Sequence, residues 1–419
     1  MKALLPKLLM VCLVAGAACT GGGGPPPPPP PPENLGLASS WSSYRGNAQN
    51  TGRLTASNAV VVANPNGTTA WQHGASMGGS HPITGPDGTV YAASYDGTLF
   101  ALDPVTGTQK WTFATAGNPY YPAYGPSPAL AADGTLYFGD FGGNLYALDS
   151  ATGQQKWQAP FTAGYSYTSA ALGEDGVLYL GDFGGGFYAV KGSTGKQVWQ
   201  VSLLAGISAA PALSLDGSTV YLGTLDGTFY ALGSASGRQR WSRTFTGRIF
   251  DSAAVGADGT VYVGTDQSAY HGPGLPNTYD GTIYALDGAT GEVKWQFAAG
   301  APVTQALAIA ADGTVYAPVD DGKFYALDGN TGAKKWEILI TVNAVSTTAA
   351  IGSDGTIYFS SDGAILAVDP GNGSTKWSWR FPDFGSTPGG GNGAGNSAPS
   401  LGADGKLYVW GVNTLFAVP

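Results

Sequence analysis

Residues 131–157 read AADGTLYFGDFGGNLYALDSATGQQKW, and residues 311–336 read ADGTVYAPVDDGKFYALDGNTGAKKW. These are two copies of one text, and self-similarity at a regular spacing marks a repeat architecture. Working outward, Trp71, Trp111, Trp157, Trp199, Trp241, Trp295, Trp336 and Trp377 are separated by 40, 46, 42, 42, 54, 41 and 41 residues. Each unit divides into four short strands, A to D. Strand A is apolar and runs into Asp-Gly, as at Asp133-Gly134. Strands B (135–139) and C (144–148) alternate, and strand D carries the tryptophan. Asp-Gly and Thr-Gly mark the joints, where tight hairpins need a positive φ that glycine accepts. Four antiparallel strands every forty-odd residues predict a propeller blade.

The count predicts closure. Seven units end in a tryptophan between Trp111 and Trp377. An eighth starts at Pro399, supplies strands A to C through 407–409 and 415–418, and has no D. Residues 68–71, ending in Trp71, are a D strand with no blade before it. Joining the two removes an exposed sheet edge. The expected fold is all-β: an eight-bladed β-propeller of four-stranded antiparallel blades, the last closed by the N-terminal strand.

Residues 101–111 (ALDPVTGTQKW) fit the pattern A-x-D-x-x-T-G-x-x-x-W, which recurs intact at 147–157, 285–295 and 326–336. Units at 189–199, 231–241 and 367–377 keep the Ala, Gly and Trp. The motif resembles the tryptophan-docking motif of pyrroloquinoline-quinone-repeat propellers, over residues 60–419. The resemblance implies structural tryptophans. On this reading the alanine leaves room for the neighbouring blade's indole, the glycine makes the C–D turn, and a backbone carbonyl accepts the buried indole N–H. Quinoprotein dehydrogenases of this family hold a quinone and a calcium ion, usually under a disulfide of adjacent cysteines. The BamB branch is instead a lipoprotein scaffold without catalysis. The lead-in from Trp41 to Gly52 (WSSYRGNAQNTG) is similar to that of exported family members.

Composition narrows the chemistry. Charged residues make up 11% of the 419 residues, and the net charge of −9 argues against nucleic acid as the main partner. The only cysteines are Cys12 and Cys19, so the remainder can form no disulfide or thiol nucleophile. His73, His81 and His271 lack zinc-ligand spacing. The sequence holds no GxSxG, Walker A or GxGxxG in a strand-to-helix setting.

The N-terminus reads as an export leader. Lys2 and Lys7 precede an apolar run over 8–15, then small residues lead to Cys19. This resembles a lipobox with Cys19 as the lipidated residue, although Gly16 stands where Leu or Val is usual. Cleavage after Ala17 is the plainer alternative. Residues 20–40 are a Gly/Pro-rich linker whose run from Pro25 to Pro32 forms a stiff polyproline spacer. Residues 41–419 form the propeller. The expected location is the cell envelope, on the outer membrane facing the periplasm or at the cell surface, with a monomeric chain held by its lipid anchor.

Strand order places B–C and D–A loops on one face and A–B and C–D turns on the other. The irregular sequence lies in the first set. The B–C connection at 266–280 carries Tyr270 and His271. The D–A loops carry Tyr120, Tyr121 and Tyr124; Tyr165 and Tyr167; Arg248, Phe250 and Asp251; and Phe384. Variable aromatic loops on a rigid ring suit binding, although the same side chains could plug the channel mouth. Asp96, Asp140, Asp182, Asp226, Asp320 and Asp362 recur at B–C turns, where Asp suits either a turn or calcium. The expected function is a non-catalytic envelope scaffold that docks a protein partner without cofactor. Alternatives are a small-molecule or glycan binder, and a quinone-dependent oxidoreductase.

Overall fold

The computed structural model describes residues 46–53, 62–75, 79–115, 126–140, 142–160, 168–268, 279–340, 347–383 and 397–419. The chain divides into two units, 1–33 and 34–419, and everything described belongs to the second. The signal segment, Cys19 and the proline spacer lie outside the described residues.

Eight four-stranded antiparallel sheets form the ring among the described residues. Their A strands are Ile83–Thr84, Ala129–Leu130, Ala171–Leu172, Ala212–Leu213, Ala254–Val255, Ala308–Ile309, Ala350–Ile351 and Ser400–Leu401, which define blades 1 to 8. In blades 1 to 7 the four strands follow one another in sequence. Blade 8 takes Ser400–Leu401, Leu407–Trp410 and Thr414–Val418 from the C-terminus, and its D strand is Trp71–Gly74, with Trp71 opposite Ala417. The N-terminal strand therefore closes the ring.

Burial follows the strand order. B and C strands are buried along most of their length, whereas D strands alternate, as in Gln155–Pro160. Apolar clusters form between blades, joining for example Tyr137 and Ala147 of blade 2 to Leu178 and Val190 of blade 3. These interfaces are the core, so no blade is buried without its neighbours.

The repeated motif acts across each interface. The indole N–H donates to a carbonyl at the next blade's C–D turn: Trp111 to Ser150 at 2.9 Å, Trp157 to Gly192 at 2.8 Å, Trp199 to Ser234 at 2.7 Å, Trp241 to Gly288 at 3.0 Å and Trp295 to Gly329 at 2.7 Å. Trp336 reaches Pro370 and Trp71 reaches Pro104 in the same way. A strand-B tyrosine hydroxyl adds a second donor to the same oxygen at Ser150, Ser234, Gly288 and Gly329. Two donors on one carbonyl fix the blade-to-blade angle better than either could alone.

The glycine makes the C–D turn at positive φ as expected, 68° at Gly195, but the alanine's role differs from the sequence expectation. The alanine lies opposite its own blade's tryptophan, as Ala101 does with Trp111, and between it and Tyr91. Its small side chain lets those two rings meet at 5.9 Å. Room for the neighbouring blade's indole comes from the glycine. A Cβ on Gly195 would lie 2.7 Å from the Trp157 ring, and one on Gly332 the same distance from Trp295.

In blade 8 the C strand, Thr414–Val418, and the D strand, Trp71–Gly74, are not consecutive in sequence, so no C–D turn joins them. At this seam the Val62 amide donates to the Tyr358 hydroxyl at 3.1 Å, and Val62 packs with Trp377 in one apolar cluster. The stretch before the closing strand thus substitutes for the missing turn.

Residues 46–53 lie against the innermost strands. A strands of neighbouring blades approach one another around the centre. Carbonyls of the segment accept their amides: Leu213 to Ala48 at 2.8 Å, Val255 to Gln49 at 2.9 Å, Ile309 to Thr51 at 2.9 Å and Ile351 to Gly52 at 2.9 Å.

Candidate interaction face

D–A connectors and B–C turns hydrogen-bond to each other, which puts them on one face. The Ile207 amide donates to Asp182, Leu203 to Gly185 and Leu225 to Gly206. On the other face C–D turns meet A–B turns, as when the Ser150 amide donates to Gly134.

Of the sequence-derived loop candidates, Arg248, Phe250 and Asp251 are described; Arg248 and Phe250 are neighbours, and Asp251 accepts the Ala306 amide at 2.8 Å. Arg248 exchanges two backbone hydrogen bonds with Asp266, at 2.8 and 2.9 Å. Its guanidinium donates to the buried Asp266 carboxylate at 2.8 Å and lies 4.7 Å from the centre of the Phe250 ring. The ion pair and the cation–π contact fix the guanidinium while half of the side chain remains exposed. The Ser208 hydroxyl donates to the Phe250 carbonyl at 2.9 Å, tying this connector to the preceding one. Tyr120, Tyr121, Tyr124, Tyr165, Tyr167, Tyr270, His271 and Phe384 lie outside the described residues.

Other exposed side chains on this face were not singled out by the sequence. Leu204, in the connector from blade 3 to blade 4, is 95% exposed, and Phe183, at the blade 3 B–C turn, is 45% exposed. The Leu203–Gly185 and Ile207–Asp182 bonds hold the backbone on either side of Leu204. An apolar side chain presented on fixed backbone costs little entropy to bury. The available signal was the pair Leu203-Leu204 within a connector.

The B–C aspartates serve their own turns. Asp140 accepts from the Asn144 amide and the Tyr146 hydroxyl, and Asp182 from the Gly186 amide and the Tyr188 hydroxyl. Asp226 accepts from Thr224 and from the Thr228 amide. Among the described residues no group of three or more His, Cys, Asp or Glu is placed to hold a metal ion.

Asp320, at the blade 6 B–C turn, behaves differently. It is half-buried and accepts from the Thr304 hydroxyl at 2.7 Å. Desolvation, with repulsion from Asp266 and Asp321, outweighs that bond and pushes its pKa up to about 6. The folded protein thus binds this proton more tightly than the unfolded chain, whose aspartates titrate near 4. Stability from this group is present below about pH 4 and lost as pH rises through about 6. Asp320→Asn keeps an acceptor for Thr304 and removes the charge. It should raise stability by about 1–2 kcal/mol at pH 8, after discounting for partial exposure, and change nothing at pH 4. Urea unfolding at both pH values checks this; equal effects at both would contradict the charge argument.

Four-stranded blades, indole-to-turn docking and closure by the N-terminal strand define an eight-bladed propeller of the pyrroloquinoline-quinone-repeat class. A family model described as outer membrane protein assembly factor BamB matches residues 48–175, 161–267, 184–377 and 244–417, and the chain belongs to this family. No curated protein matches the chain in sequence. Among solved structures, BamB from Moraxella catarrhalis superposes with a TM-score of 0.62 at 20% identity, over 84% of this chain and 98% of that one. Quinohemoprotein alcohol dehydrogenase from Comamonas testosteroni gives 0.69 at 14% identity, over 92% and 81%. The computationally designed Ika8 protein gives 0.66 at 16%, over 84% and 99%. At these identities the likeness is one of fold, and it spans an assembly factor, an enzyme and a design, so it does not choose between activities.

Proposed function

We propose that this protein is a non-catalytic scaffold of the cell envelope, held by a lipid on Cys19, that docks a protein partner on its B–C/D–A face. The observation that carries this reading is Leu204 and Phe183, exposed beside one another's loops on backbone fixed by hydrogen bonds, with Arg248 further along the same face. Exposed apolar side chains on a face that also carries an anchored arginine suit a protein interface. The family supports the envelope, since its model bears the name of an outer membrane assembly factor. On this reading the proline spacer holds the ring clear of the membrane, and Cys19→Ser should release the protein into the soluble fraction.

Site-specific photocrosslinking in native cells tests the docking face. A crosslinker at Leu204 should capture a discrete envelope protein. One at Val105, 73% exposed on a C–D turn of the opposite face, should not. Leu204→Asp combined with Phe183→Ser should reduce recovery of that partner at least about tenfold. The melting temperature should move by less than about 2 °C, because neither side chain is core. Capture from Val105 alone would place the interface on the other face and overturn the assignment.

A further inference from the structure

The lead-in segment is held both by bonds of its own and by bonds to several blades. Asn47 folds it. Its Oδ1 accepts the amides of Gln49 and Thr51, both at 3.1 Å, and its Nδ2 donates to the Thr51 hydroxyl at 2.6 Å. Asn50 sits at φ 54°, a left-handed conformation that asparagine tolerates better than most residues. Its Nδ2 donates to the Pro211 carbonyl at 3.1 Å in a buried setting. Gly46 and Gly52, at φ 83° and 68°, bend the chain at either end. In this shape the carbonyls of Ala48, Gln49, Thr51 and Gly52 meet amides from blades 4, 5, 6 and 7 in order. Arg53 adds a parallel bridge to Ile351.

We propose that residues 46–53 are a second closure of the ring: an inner belt that couples the A strands of blades 4 to 7, separate from the strand exchange in blade 8. The A strands contribute only two ladder residues each, so they are the least self-supporting strands of every blade. One segment bonded to four of them makes their opening a joint event. Four independent contacts with a passive tail would open one at a time. The belt also lines the inner wall of half the ring with protein backbone.

Hydrogen exchange read by mass spectrometry on the full-length chain separates the two. Asn47→Ala with Asn50→Ala removes the folding bonds and strains position 50. Exchange should accelerate about tenfold or more at Leu213, Val255, Ile309 and Ile351 together, although they lie on four blades. Leu130 and Leu172, on A strands of blades 2 and 3, should change little. Acceleration confined to Leu213, next to the Asn50 contact, would overturn the belt, as would no change. If the double variant unfolds globally, Asn50→Gly serves instead. It keeps the positive φ and loses only the side-chain bond to Pro211. It should produce a smaller joint acceleration at the same four amides, and a change at blade 4 alone would overturn the proposal.

Discussion

Trp295→Ala should lower the unfolding free energy by about 3–5 kcal/mol, the range for truncating a buried tryptophan. Three contacts set this expectation. The indole is buried between blades 5 and 6, its ring lies 5.8 Å from that of Tyr262, and its N–H reaches the Gly329 carbonyl at 2.7 Å. The Tyr262 hydroxyl also donates to Gly329, at 3.0 Å, so that carbonyl keeps a partner after the substitution. The loss is therefore one of packing more than of an orphaned acceptor. Guanidinium unfolding should show a lower midpoint at unchanged slope. A change below 1 kcal/mol would mean that the blade interface does not depend on the indole.

Much of the fold was legible because its causes are local. Turn glycines and alternating strands recur in every unit, and eight tryptophans set the period. The spare D strand at Trp71 pointed to the closure, although the strand runs forward from Trp71 to Gly74 rather than ending there. What was not legible depends on pairs of residues far apart in sequence. The alanine and glycine of the motif look interchangeable as small residues. Only the register, with Ala101 opposite Trp111, and the position of Gly332 against Trp295 assign them to different blades. Likewise nothing within 46–53 announces that its carbonyls meet four separate blades, since those donors lie more than 150 residues downstream.

The face itself was harder to read than the fold. Strand order correctly predicted which loops meet, because antiparallel alternation leaves no choice. The choice of residues within those loops followed aromatic content, and that criterion passed over Leu204. Its exposure follows from the path of the connector between Gly185 and Asp182, a tertiary fact with no local signature. Arg248 and Phe250 were chosen as part of an irregular, aromatic-bearing connector; that the guanidinium lies over the Phe250 ring is a contact the choice did not foresee.

Gly332→Ala should be nearly as damaging as the loss of the tryptophan it faces. Two costs add. The residue sits at φ 72°, where a Cβ costs about 1–2 kcal/mol. That Cβ would also lie 2.7 Å from the Trp295 ring, and overpacking of this kind costs about 1–3 kcal/mol. A loss of about 2–5 kcal/mol is expected. The two costs separate in a double-mutant cycle. With Trp295→Ala in place the ring is gone, so only the backbone cost of Gly332→Ala should remain. The double variant should then be more stable than the sum of the singles by about 1–3 kcal/mol. Strict additivity would mean that the glycine is needed for its turn alone. Coupling of that size would mean that blade 6 is fitted to blade 5 partly through this contact, a glycine in one blade shaped to the indole of the last.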